Sequence, residues 1–244
     1  MRAMFSSKFP DIERIRDLAR ENIDMLYDDE SGQMYMSLCE HISKMHHLSS
    51  EDICISDAYS KIGVKPFGSL SKRFLYKMHD SGIVVGAGSG EDCADLIGKD
   101  DWHLYDLTDE RMINNAIGHY SGKALFNKAS SKEGDSLNDI SEKHKTGECE
   151  IDCVTIDGLN LEKCGLISVD AEGAGLDVLQ GAIQTINRHS PDLLLSIYHN
   201  WQEYLLIIPM VYDLGYEIVV AKTSNFTPSQ PHLELTLICK KEYK

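Results

Sequence analysis

Apolar residues follow two regimes along the chain. Before about residue 80 they recur at helical spacing, and after it they gather in short runs between helical stretches. Asp11–Tyr27 carries Ile12, Ile15, Leu18, Ala19, Ile23 and Leu26, an amphipathic stripe. Asp28-Asp29-Glu30-Ser31-Gly32 interrupts it. Met34–His47 carries a weaker stripe of Leu38, Ile42 and Met45, and Ser49–Asp52 reads as the cap of a short third helix. Pro66 and Gly68 mark a loop over Gly63–Ser71. The pattern predicts an N-terminal helical extension over residues 1–79 and a second unit over residues 80–244.

In the second unit, strands and helices alternate. Ile83-Val84-Val85 is a short buried strand, followed at once by Gly86-Ala87-Gly88-Ser89-Gly90 and a helix from Glu91. His103–Tyr105 is a second strand, ending at Asp106. Arg111–Ile117 reads as helical, Lys123–Ala129 as a strand, Ser130–Glu150 as a polar loop or short helix, and Cys153–Ile156 as a short extended piece. Leu166–Val169 is a third buried strand. Asp170-Ala171-Glu172-Gly173 turns it into a helix marked by Leu176, Leu179 and Ile183. Asp192–Ile197 is another apolar strand, ending in Tyr198-His199-Asn200. A helix over Gln202–Leu214 and strands over Tyr216–Ala221 and Leu233–Cys239 complete the chain. Alternation of this kind predicts an α/β fold with a mostly parallel sheet covered on both faces.

Open α/β sheets bind ligands at the carboxyl ends of their strands. Three features fall there: the glycine turn, Asp106, and the acids Asp170 and Glu172. A strand, a glycine turn and a helix form a nucleotide-binding crossover. The glycines give GxGxG. The dinucleotide fingerprint would need a third glycine where Glu91 stands, and Glu91 and Asp92 put negative charge where a pyrophosphate would sit. S-adenosylmethionine (SAM) has no phosphate and carries a sulfonium and an ammonium, so acids near it are acceptable. Asp106 is placed to accept hydrogen bonds from ribose hydroxyls, a role shared by NAD and SAM sites.

Charge changes the picture further. The 244 residues hold 39 acids against 24 Lys and Arg, a formal charge of −15. A polyanionic backbone would be repelled, which argues against nucleic acid and for a small molecule or sugar as partner. No apolar run is long enough to suggest a membrane span, and the start lacks the apolar core of a signal peptide, so the expected location is the cytoplasm. The seven Cys are scattered without a CxxC pair and read as reduced thiols rather than a zinc site.

The second half resembles the FkbM family of SAM-dependent methyltransferases. Val154–Leu159 (VTIDGL) is similar to its strand ending in aspartate, and Ile167–Gly181 (ISVDAEGAGLDVLQG) to its acidic D-x-E-G turn and following helix. Pro191–Asn200 (PDLLLSIYHN) is similar to the next strand and its closing tyrosine–histidine. Ile207–Pro209, Gly215-Tyr216 and Ser130–Gly134 (SSKEG) extend the likeness, which runs from about Gly82 to Cys239. The family usually carries an E-P pair after its second strand; Asp106-Leu107 stands there. Its Arg and His after Tyr216 are replaced by Ala221-Lys222-Thr223.

The resemblance implies a Rossmann-like class I methyltransferase fold, a mostly parallel seven-stranded sheet with an antiparallel last strand. It implies methyl transfer from SAM to a hydroxyl of a sugar or other small molecule. Gly86, Ala87, Gly88, Gly90, Asp106, Leu107, Ser130 and Asp170 would contact the cofactor. His199, beyond a strand end on the same sheet edge, is the candidate base for the acceptor hydroxyl. Glu172 would orient His199, bind the acceptor, or share a Mg²⁺ ion with Asp170; two acids at one turn permit a metal without requiring it. The N-terminal extension could pack on the core, wall the acceptor site or form a homodimer contact. A SAM-binding protein that has lost catalysis or methylates nitrogen or carbon is the alternative, and an NAD-dependent oxidoreductase a more distant one.

Overall fold

The computed structural model describes residues 12–37, 72–87, 93–106, 113–129, 145–222 and 235–241. Its centre is a six-stranded mixed sheet in the order β2-β1-β6-β7-β9-β8. β1 (Gly82–Val85), β2 (Trp102–Tyr105), β6 (Leu166–Val169) and β7 (Asp192–Ser196) are parallel neighbours. β9 (Leu235–Lys241) runs antiparallel to both β7 and β8 (Tyr216–Lys222). All four residues of β1 and of β6 are buried. This explains why they read as unbroken apolar runs: a strand covered on both faces has no polar side to show.

The two faces build separate cores. Ile83, Val85, Ile167, Val169, Leu193 and Leu195 join the larger one, with Ile207, Ile208 and Val211 of the helix α5 (Trp201–Asp213). Val84, Leu104, Leu166 and Leu194 pack on the other face with Trp102 and with Tyr76 of the short helix α2 (Lys72–Tyr76). Each such side chain contributes about 1.5–3 kcal/mol by leaving water.

Where seven strands are expected, the described residues contain six in the main sheet. On the far side of β2 the parallel ladder continues, among the described residues, as an isolated bridge between Tyr105 and Ile113. The helix expected over Arg111–Ile117 is corrected with it, because Ile113 bridges and β3 (Ala116–Ile117) pairs with a different sheet. That second sheet has the order β3-β5-β4, with β4 (Gly122–Ala129) antiparallel to β5 (Lys145–Val154). The strand expected at Lys123–Ala129 is therefore present but outside the main sheet. The loop expected to run to Glu150 gives way to β5 from Lys145 onward. Glu148, Glu150 and Asp152 face water while Cys149, Ile151 and Cys153 turn inward, the alternation of a half-exposed strand.

At the other end of the main sheet, the N-terminal segment packs on the fold. The helix α1 (Ile12–Glu21) and a helical stretch over residues 29–37 place Ile15, Ala19, Met34 and Tyr35 in the larger core. Asp28 caps the second stretch by accepting the Ser31 N–H at 2.7 Å. The edge strand β8 is covered here. Tyr27 N–H donates to Ile218 O at 2.9 Å, and Val220 N–H donates to Ser31 Oγ at 3.0 Å. A sheet edge so capped cannot recruit another strand. Tyr35 and Tyr204 stack with centroids 4.2 Å apart and exchange hydrogen bonds, each hydroxyl donating to the other residue's carbonyl at 2.6 and 2.7 Å. The third helix expected from Ser49 lies outside the described residues. Among the described residues, no helix is long and apolar enough to cross a membrane.

Candidate active site

The parallel register aligns the carboxyl ends of four strands. Val85 pairs with Tyr105 and Val169, and Val169 pairs with Leu195. The residues that follow them, Gly86, Asp106, Asp170 and Ile197–His199, therefore lie along one sheet edge. Gly86 N–H donates to Tyr105 O at 3.0 Å, so the chain bends across the end of β2. Gly86 is left-handed at φ +76°, and a Cβ there would stand 1.9 Å from Asp170 O. Only glycine lets the two turns touch. Gly88, Gly90, Leu107 and Ser130 lie outside the described residues.

The acidic turn closes through a hydrogen bond from Ala174 N–H to Ala171 O at 3.0 Å. Glu172 takes φ +45° within it, a conformation that costs a non-glycine residue about 1 kcal/mol. The next helices are α3 (Gly175–Gln180) and α4 (Ile183–His189). Asp157, at the end of the family-like VTID stretch, caps α4: its carboxylate accepts the N–H groups of Gln184 and Thr185 at 3.0 and 2.7 Å. It thus anchors a helix rather than the site.

Asp170 is the hub. Its Oδ2 is 2.5 Å from Lys72 Nζ, and its Oδ1 accepts the Tyr198 hydroxyl at 3.1 Å and lies 3.2 Å from His199 Nε2. Burial opposes its charged form, but Lys72 and then His199 outweigh burial and hold the carboxyl well below the usual range. Lys72 and Tyr76 lie one turn apart on α2. Tyr76 shares a hydrogen bond with Ser168 Oγ at 3.1 Å, two residues before Asp170 on the same face of β6, and burial pushes the Tyr76 hydroxyl up to about 12.

His199 is buried between acids. Nδ1 is 3.0 Å from Glu203 Oε2, and Nε2 is 3.7 Å from Glu172 Oε1. Burial disfavours its charge, but Asp170 and Glu203 prevail and raise its pKa well above the ordinary 6.5, which favours the imidazolium. Among the described residues, Nε2 makes no well-formed hydrogen bond and meets Asp170 Oδ1 only as an ion-pair approach at 3.2 Å. Its ring packs on Tyr198 at 4.1 Å between centroids. Asn200 joins this end to the acidic turn: its side chain donates to Gly173 O at 2.9 Å and accepts the Glu203 N–H at 2.8 Å, capping α5.

The structure thus brings together Asp170, Glu172 and His199 from the sequence reading, and sets Gly86 against them. It adds Lys72, Tyr198, Asn200 and Glu203. At Asp170, one of the two acids that would permit a shared Mg²⁺ ion, Lys72 already supplies a cation. Among the described residues, no group of three or more His, Cys, Asp or Glu side chains is arranged to hold a metal ion.

The family model described as the methyltransferase FkbM domain matches residues 70–218. A crystal structure of methyltransferase FkbM from Methylobacillus flagellatus KT is similar in fold, with a TM-score of 0.55 and 19% identity. The match covers 93% of this chain and 59% of that one, so the chain spans about three fifths of that protein's length. No curated protein matches.

Proposed function

Because the chain belongs to the FkbM methyltransferase family, we propose that it methylates a hydroxyl of a sugar or other small molecule, using SAM as donor. The observation that carries this reading is the meeting of Asp170, Glu172 and His199 beside the Gly86 turn at the carboxyl edge of parallel strands.

The residues present suit SAM. When bound, it supplies a methyl group already activated by the sulfonium. Asp106 lies half-buried at the end of β2, where a carboxylate can accept from ribose hydroxyls. Asp170 offers negative charge to a cationic ligand, shared with Lys72. What remains for the protein is alignment and the removal of one proton.

The base expected at His199 passes to Glu172 in this reading. An imidazole already protonated has no lone pair for a second proton. Its Nε2–H is instead the donor that holds the acceptor oxygen, and the Glu172 carboxylate takes the hydroxyl proton as that oxygen gains the methyl group. The left-handed backbone at Glu172 points to a position fixed for a purpose.

Calorimetric titration with S-adenosylhomocysteine, with NAD for comparison, tests the cofactor. The expected result is saturable binding of S-adenosylhomocysteine alone, weakened about tenfold by Asp106→Ala, the worth of one good hydrogen-bonding contact. Binding of NAD, or of neither, would overturn the reading; unchanged affinity in the variant would remove Asp106 from it.

A further inference from the structure

α5 begins with Asn200-Trp201-Gln202-Glu203, in which a cap residue is followed three positions later by glutamate. Such a glutamate usually turns its side chain back onto the N–H of the cap residue. Glu203 turns it elsewhere. Oε1 accepts the Gly175 N–H at 2.7 Å, and Oε2 faces His199 Nδ1 at 3.0 Å. The side chain is 1% exposed, and a carboxylate buried that deeply requires a hydrogen-bonded, charged partner.

Gly175 is shaped to this contact. A Cβ built there would stand 2.7 Å from Glu203 Oε1, so any side chain would displace the carboxylate. With Oε1 fixed by α3, Oε2 fixes the ring of His199, and Nε2 is left facing Asp170 Oδ1 and Glu172 Oε1. That nitrogen is buried and, among the described residues, makes no well-formed hydrogen bond beyond its 3.2 Å approach to Asp170 Oδ1, which leaves it able to meet a ligand oxygen.

We infer that Glu203 is a positioning residue of this site, locked by the Gly175 N–H and orienting the His199 imidazole so that Nε2 is presented to the ligand. The inference builds on the proposed methyl transfer only in naming the acceptor as that ligand. The groups facing His199 are Glu203 from α5 and Asp170 and Glu172 from the acidic turn. Lys72 from α2 and the Tyr198 hydroxyl act on it through Asp170.

The test is an NMR titration of the His199 ring nitrogens in the full chain, its signals assigned by their loss in His199→Gln. Glu203→Gln keeps the size and removes the charge; proton binding at His199 is expected to weaken about tenfold or more, one pKa unit. Gly175→Ala keeps the charge and moves it, and is expected to shift the same titration in the same direction by less. A His199 titration unchanged in both variants would overturn the inference. Should Glu203→Gln fail to fold, Gly175→Ala carries the test by itself. Failure of the native chain to bind S-adenosylhomocysteine would sink the proposed function while leaving this titration to judge Glu203.

Discussion

Replacing Lys72 with Met removes one ammonium and keeps most of the apolar stem. The group it abandons is Asp170, whose Oδ2 stands 2.5 Å from the lysine nitrogen. Exposed ion pairs are worth about 1 kcal/mol or less, whereas stripping one partner from a buried pair costs about 3–5 kcal/mol. The two side chains are 16% and 22% exposed, which places the pair between those limits. His199 and the Tyr198 hydroxyl still face Oδ1, at 3.2 and 3.1 Å, and soften the loss. The expected destabilisation at pH 7 is about 2 kcal/mol. Its pH dependence follows from the sign of the shift. A carboxyl held below its unfolded value stabilises the fold above about pH 4, and that stabilisation disappears as pH falls toward the folded value. In Lys72→Met the folded value of Asp170 lies nearer the ordinary one, so the variant has less to lose. Urea unfolding followed by circular dichroism, on both proteins between pH 7 and about pH 3.5, measures the difference. The gap should be widest at pH 7 and shrink below about pH 4. Equal midpoints at pH 7, or a gap that stays constant to the acid end, would refute the reasoning.

Two further outcomes are expected. Gly86→Ala forces a Cβ to within 1.9 Å of Asp170 O at φ +76°, so it should destabilise the fold by more than about 2 kcal/mol, seen as a lowered thermal midpoint, and abolish S-adenosylhomocysteine binding; a variant as stable as the native chain would mean the two turns do not touch. The His199 imidazolium is raised above its ordinary value, so it is fully present below about pH 6.5 and is lost as pH climbs through the folded value. The rate of S-adenosylhomocysteine production with a sugar acceptor should therefore decline on the alkaline side, and a rate that rises there instead would return the base role to His199.

What could be read from the sequence was whatever left a local pattern. Ile83–Val85, Leu166–Val169 and Asp192–Ile197 are covered on both faces, so each announced itself as an apolar run. The acidic turn showed itself because acids followed such a run directly. β5 was hidden by its charges: Glu148, Glu150 and Asp152 dominate a composition whose period of two carries the real signal. Glu203 drew no notice within the helix expected over Gln202–Leu214, because its contact with Gly175 spans 28 residues. Lys72 left no trace, since α2 is five residues long and its partner is 98 residues distant. The protonation of His199 was equally out of reach, because it depends on Glu203 and Asp170 converging on one ring. Residue type suggested a base, while the surroundings favour the charged imidazolium.

The position of β9 sets the unit of homology apart from the unit of folding. Residues 70–218 carry the family match, yet β9 begins at Leu235 and is the partner that joins β7 to β8. Tyr35, before the matched region, is bound by two hydrogen bonds to Tyr204, the residue after Glu203. A chain cut to its matched segment would keep all the residues gathered around Asp170 and lose the closures that hold them. These closures link positions far apart in sequence, the kind of contact that slows folding. Separately expressed pieces would then be expected to regain the site only on reassociation.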